Sequence, residues 1–252
     1  MAESLLHIDQ VSQRFGGLLA LDAASFAAEA GRITALIGPN GAGKTTLFSI
    51  VTGFQQPVSG RIVYDGVDIT GLPPHRLARR GLARTFQVAQ PFARLTVREN
   101  IAVGAHLHRP ARADALAAAA QVAAAIGLAG ELDQPADALT VAGRKRLELG
   151  RALAIEPRLL LLDEVLAGLN PSEIRDMVPV IRAIRDRGVT IVMIEHVMQA
   201  VMSLAEHVCV LAEGRVIAGG APRDVTGDPR VVEAYLGHGA AARLAAGGAH
   251  GR

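Results

Sequence analysis

The run Gly38-Pro39-Asn40-Gly41-Ala42-Gly43-Lys44-Thr45-Thr46 spaces its glycines, lysine and threonine as G-x-x-x-x-G-K-[ST]. Glycines at such a turn let backbone amides converge on an anion with no Cβ in the way. The positive end of a following helix adds to the attraction. The run therefore reads as a phosphate-binding loop rather than a plain glycine-rich turn. Lys44 would meet the β- and γ-phosphates of a nucleoside triphosphate, and the Thr45 hydroxyl would take a magnesium ion. Three further groups suit the same chemistry. Asp163 and Glu164 close the apolar run "LLLLDEV"; Asp163 can hold magnesium through water, and Glu164 can polarise an attacking water. His196 follows "VTIVMI" and Gln87 follows "LARTF". The histidine is expected at the γ-phosphate, and the glutamine carbonyl can bridge magnesium and water. Taken singly, these could be capping acids, a structural histidine and a surface amide.

A fourth stretch, "LTVAGRKRLELGRAL" (139–153), is harder to read. Leu149, Ala152 and Leu153 recur with helical period, and Thr140 suits an N-cap. Three cations stand where a helix start is already partly positive, which is unfavourable unless an anion arrives. Thr140, Ala142 and Gly143 are read as an altered phosphate turn. Val141 is β-branched and resists positive φ, so the turn should depart from a glycine form. Arg144, Lys145 and Arg146 would offset the poorer fit or face solvent. The alternative is a plain helix cap.

Elements able to position these residues follow from the pattern. Apolar β-type runs stand at 33–37, 61–65, 82–86, 159–163, 189–194 and 207–212, the last turning at Glu213-Gly214 into "RVIA". Helical patterns follow at 44–53, 172–187 and 197–205. Strands alternating with helices imply an α/β chain with a mainly parallel sheet covered on both faces, whose C-terminal edge carries the ligand site. Segments 1–30 and 60–70 read as an antiparallel lobe, 95–155 as a helical insertion, and the Ala/Gly-rich tail from about Gly237 as mobile.

Composition limits the partners. Net charge is +2 with no long basic run, which argues against nucleic acid. The single cysteine, Cys209 in "HVCVLA", excludes an internal disulfide and reads as core. The start lacks the pattern of a signal peptide, and no stretch reaches the roughly 20 apolar residues of a membrane helix.

Together these motifs resemble the ATP-binding subunits of ABC transporters, over roughly residues 4–236. The order matches: Phe15 in "RFGG", the phosphate loop, Gln87, the turn at 139–143, "LLLLDE", "AGLN" and His196. "GPNGAGKTTLFSIVTGF", "DITGLPPHRLARRGLARTFQ", "AGLNPSE" and "RVVEAYLG" are similar to the ATPase subunits of branched-chain amino acid uptake systems. The resemblance implies an α/β P-loop NTPase (RecA-like) core with an antiparallel β lobe and a helical insertion. One ATPase domain would span 1–237 and a tail 238–252. ATP and Mg2+ are the implied cofactors, with Phe15 stacking on adenine unless it is a core side chain. Two ATPase subunits, in this subfamily a companion pair, would face each other head to tail. Each ATP would lie between one phosphate loop and the other subunit's turn at 139–143. Two transmembrane permeases would complete the complex, receiving solute from a separate binding protein. A permease helix would dock near 88–100, placing the chain peripherally on the cytoplasmic face of the inner membrane. Two departures stand out: Val165 replaces the family's proline after Asp163-Glu164, and Leu139-Thr140-Val141-Ala142-Gly143 replaces Leu-Ser-Gly-Gly-Gln. An exporter ATPase and a soluble non-transport ATPase remain alternatives. The long coiled coil of repair ATPases and the second ATPase domain of translation factors do not fit in 252 residues.

Overall fold

The computed structural model describes residues 4–86 and 90–236. Gln87 and the tail expected to be mobile lie outside the described residues. The chain opens with a long hairpin, β1 (Ser4–Phe15) and β2 (Leu18–Glu29), and enters β3 (Ile33–Ile37), the glycine loop and α1 (Lys44–Val51). It returns through β4 (Ser59–Tyr64), β5 (Val67–Asp68), α2 (Pro74–Arg79) and β6 (Leu82–Arg84). Helices α3 (Val97–Ala105), α4 (Arg112–Ala125) and α5 (Val141–Leu153) fill the expected insertion, with two short 3-10 turns between α4 and α5. β7 (Leu159–Asp163), α6 (Pro171–Asp186), β8 (Thr190–Ile194), α7 (Met198–Leu204), β9 (His207–Ala212), β10 (Arg215–Gly220), α8 (Pro222–Thr226) and α9 (Pro229–Leu236) complete it.

Two sheets result. One is antiparallel, in the order β2-β1-β4-β5; the other runs β10-β9-β3-β8-β7-β6 and is parallel except for β10. The four leucines of β7 show why the parallel strands read as unbroken apolar runs. Leu160 and Leu162 point into the core shared with α3–α7, while Leu159 and Leu161 point into the core under α1 and the antiparallel sheet. Strands buried on both faces cannot alternate with polar residues. Cys209 on β9 belongs to the second core, where burial pushes its thiol up to about 12, so it is a packing residue.

β6 stops two residues before the apolar run does. At Thr85 a side chain takes over from the backbone ladder: Asp163 N–H donates to Thr85 Oγ1 at 3.0 Å. The alanine-rich helix α4 stops at Gly127, whose φ of 74° is a left-handed helix terminus that glycine adopts without strain.

Candidate functional site

In the parallel sheet β3, β8 and β7 are adjacent, and their C-terminal ends lie in register: Leu36 pairs with Ile194, and Ile194 with Asp163. The glycine loop follows β3, Asp163-Glu164 ends and leaves β7, and Glu195-His196 leave β8. Topology alone therefore brings three distant segments to one edge.

The glycine loop is a close approach of backbones. Gly38 has φ 150°, and a Cβ there would stand 1.9 Å from the Leu211 carbonyl oxygen. Gly43 caps α1 at φ 104°, and a Cβ there would stand 2.5 Å from the Ala20 carbonyl oxygen. Neither position admits a side chain. Lys44 begins α1, and its Nζ donates to the carbonyls of Gly38 at 2.7 Å and Pro39 at 2.9 Å. The ammonium thus spans the loop it belongs to. Burial lowers its pKa, opposed by the negative charges of Glu164 and Asp163. Thr45 is exposed beside it and lines one cavity with Arg84 and Asp163.

Asp163 is fully buried. Its Oδ2 accepts from Arg84 Nη2 at 2.6 Å, and its Oδ1 is buried without a hydrogen-bond partner among the described residues. A buried carboxylate oxygen without a partner among the described residues, on a side chain that lines the same cavity as Thr45, suits a magnesium ion. No cluster of three acidic, histidine or cysteine ligands exists among the described residues. Sequence reasoning missed Arg84. An arginine inside the apolar run "LARTF" was the available signal, but its partner lies 79 residues away.

Glu164 is left-handed, with φ 50°. A residue with a β-carbon carries roughly 1–2 kcal/mol of strain there, so the position must be held. Its N–H donates to Ile194 O at 3.0 Å, its carbonyl accepts from Lys145 Nζ at 3.2 Å, and its Oε1 pairs with His196 Nε2 at 2.6 Å. The two residues expected at the reacting phosphate are therefore brought into contact with each other. Glu195 points inward instead: its Oε1 accepts Leu166 N–H at 2.9 Å. Burial, with a smaller contribution from the Glu164 charge, pushes the Glu195 carboxyl up to about 7.

Phe15 ends β1 and is 44% exposed, so it is not a core side chain. With Leu18, Leu19, the loop residues 40–46, Glu164 and His196 it lines a cleft of about 310 Å³.

The backbone of the turn at 139–143 departs from a glycine form. Val141 is the first residue of α5, and no residue from Leu139 to Gly143 has positive φ. The β-branched residue therefore sits where it is tolerated, 49% exposed. Thr140 Oγ1 accepts Gly143 N–H at 3.1 Å, an ordinary N-cap. The three cations do not line up at the helix start. Arg144 donates to Leu139 O, Lys145 to Glu164 O and Arg146 to Ile126 O. The first-turn amides of Val141 and Ala142 still belong to the group that a helix start leaves without an intrahelical partner.

A larger cavity, about 780 Å³, lies between β6 and helices α3 and α5, lined by Phe86, Val103, Leu107, Glu148 and Arg151. Glu148, also missed in the sequence, accepts from Phe86 N–H and is raised in pKa by burial.

Known proteins share this arrangement. A family model described as "ABC transporter" matches residues 21–167, and one described as "Branched-chain amino acid ATP-binding cassette transporter" matches 215–241. The chain is 38% identical to the high-affinity branched-chain amino acid transport ATP-binding protein BraF of Pseudomonas aeruginosa, over 94% of this chain and 99% of that one. It is 37% identical to the corresponding LivG of Escherichia coli, over the same shares. Among solved structures, a nucleotide-free ATP-binding cassette of an ABC transporter superposes with a TM-score of 0.86 at 30% identity, covering 94% of this chain and all of that one. A cassette in its ADP conformation gives 0.85 at 31% over the same shares.

Proposed function

The chain belongs to the ATP-binding subunits of ABC transporters, and from that premise we propose that it hydrolyses ATP to power uptake of branched-chain amino acids. The observation that carries this reading is the meeting of the glycine loop, Asp163, Glu164 and His196 at one sheet edge, in a chain similar over nearly its whole length to branched-chain amino acid transport proteins. Exporter and non-transport readings are not carried forward, because the relatives named above are amino acid transport proteins.

Each residue then has a task. Asn40–Thr46 cradle the phosphates, and Lys44 can pass from its own loop carbonyls to the β/γ-phosphate oxygens. Phe15 offers an exposed face to the base. Thr45 and Asp163 Oδ1 would hold magnesium, with Gln87 as a further ligand. The chemistry that a bound magnesium would supply is neutralisation of phosphate charge. Glu164 accepts the proton of the attacking water, and His196, donating to that carboxylate, fixes its direction. Thr140, Ala142 and Gly143 close on the ATP held by a companion subunit. No described helix is long and apolar enough to span a bilayer. In this reading permease subunits carry the solute, and this chain binds them from the cytoplasmic face. A solute-binding protein delivers it.

The test is reconstitution with transmembrane permease subunits and a solute-binding protein of a branched-chain amino acid uptake system. ATP turnover should rise when the binding protein is loaded with leucine, isoleucine or valine. Glu164→Gln should keep ATP binding while hydrolysis falls on the order of 10²–10⁴-fold. Turnover indifferent to every branched-chain amino acid would overturn the substrate assignment.

A further inference from the structure

Of the 26 lysines and arginines in this chain only two are lysines, Lys44 and Lys145. Lys44 is already placed in the phosphate loop. We propose that Lys145 is the positioning residue of Glu164, and that through it the turn at 139–143 acts on this chain's own hydrolytic carboxylate. The inference rests on the assignment of Glu164 as the group that activates water.

The geometry is specific. Lys145 is only 7% exposed. A buried ammonium must be compensated, and here it reaches the Glu164 carbonyl at 3.2 Å. Its neighbours also bond to carbonyls, yet Arg144 and Arg146 reach Leu139 and Ile126, both within the helical segment. Of the three, Lys145 crosses to the end of β7. Glu164 is left-handed and its named ties come from two sides. Ile194 and His196, leaving β8, hold its N–H and its carboxylate, and α5 holds its carbonyl. A slender stem with a compact ammonium suits a buried carbonyl better than a planar guanidinium fork does. The same ammonium acts electrostatically on Glu195 and Glu148, so the charge is felt throughout this corner.

The other end of the lever is Thr140. It caps the helix that carries Lys145, five residues and about 7.5 Å of rise away. A ligand seated on that cap displaces a rigid 13-residue helix, and Lys145 passes the displacement to the Glu164 backbone. One subunit's bound nucleotide thereby sets the geometry of the water-activating group in the other.

The test uses the assembled complex with Lys145→Met and Lys145→Gln. Met should lower kcat roughly 10- to 100-fold, the scale of one lost charge-assisted hydrogen bond, with nucleotide affinity held within about twofold. Gln, whose amide can still donate to the Glu164 carbonyl, should recover part of the loss. For hydrolysis at this chain's own site, Lys145→Met combined with Thr140→Ala should cost little more than the larger single change, because both reach Glu164 through α5. Wild-type kcat in Lys145→Met would overturn the inference. So would equal losses in Met and Gln accompanied by weakened nucleotide binding, which would mark a folding effect. Lys44→Ala separates the two levels: turnover that survives it removes the ATPase assignment itself, whereas turnover that needs Lys44 and ignores Lys145 removes only this inference.

Discussion

Arg84 and Asp163 are both buried, at 7% and 0% side-chain exposure. Arg84 also lies over the rings of Phe48 and Phe86. Removing one member of such a pair strands the other charge in a dry site, a loss of about 3–5 kcal/mol. Arg84→Met should therefore melt well below wild type without nucleotide. A magnesium ion at Asp163 restores a positive charge nearby, so adding Mg2+ and ATP should raise the melting temperature of the variant more than that of wild type. Equal ligand-induced shifts would disprove this account of the pair. Glu195 gives a pH dependence. Its carboxyl is pushed from an ordinary 4.5 up to about 7, so the folded chain holds a proton that the unfolded chain releases first. That contribution is fully present below about 4.5, falls as the pH rises toward 7, and is gone above it. Glu195→Gln stays neutral and keeps an acceptor for Leu166 N–H. It should be more stable than wild type at pH 8, by on the order of 1–3 kcal/mol, with the gap closing by pH 5. Thermal melts across that range test the sign directly.

Helix α3 meets α5 at a glycine. A Cβ on Gly104 would stand 2.6 Å from the Arg151 carbonyl oxygen and 3.0 Å from Ala154 Cβ. Backbone is the obstacle, so Gly104→Val must push the helices apart, at roughly 1–3 kcal/mol. Denaturant unfolding should show that loss, and the shape of the cavity between β6, α3 and α5 should change with it. Elements of this kind were partly legible in the sequence. The apolar runs marked every strand of the parallel sheet except β10, which the Glu213-Gly214 turn announced, because both faces of that sheet are buried. The glycine loop was legible because its motif is contiguous and its neighbours are a strand and a helix. Arg84, Lys145 and Glu148 were not. Their roles are set by partners 79, 19 and 62 residues away, and periodicity carries no information about such pairs. Val141 was legible for a local reason: its branched side chain argues against a left-handed turn, and the backbone makes none there.

At the scale of the whole molecule the proposed assembly takes two unlike halves of a nucleotide site from the chain. The cleft of Phe15, Lys44 and Glu164 lies on one side, and the cap of α5, with Thr140 exposed, belongs to another subunit's ATP in the proposed assembly. Thr140→Ala removes both a hydroxyl and a helix cap, so its stability should fall by about 1 kcal/mol irrespective of any partner. Thr140→Ser keeps both and serves as the control. In the assembled complex Thr140→Ala should slow hydrolysis beyond what that small loss explains, and binding of ATP to the isolated subunit should be unchanged. Turnover equal to Thr140→Ser would reduce the turn to a plain cap. The scarcity of lysine has a practical consequence of its own. A protease that cuts only after lysine finds two scissile bonds in this sequence; both lysines are buried, at 6% and 7% exposure, at the proposed hydrolytic centre. Amine-directed reagents face the same situation, with the chain terminus as the other target. Digestion at these positions, or acylation of their two side chains, would report the opening of that centre.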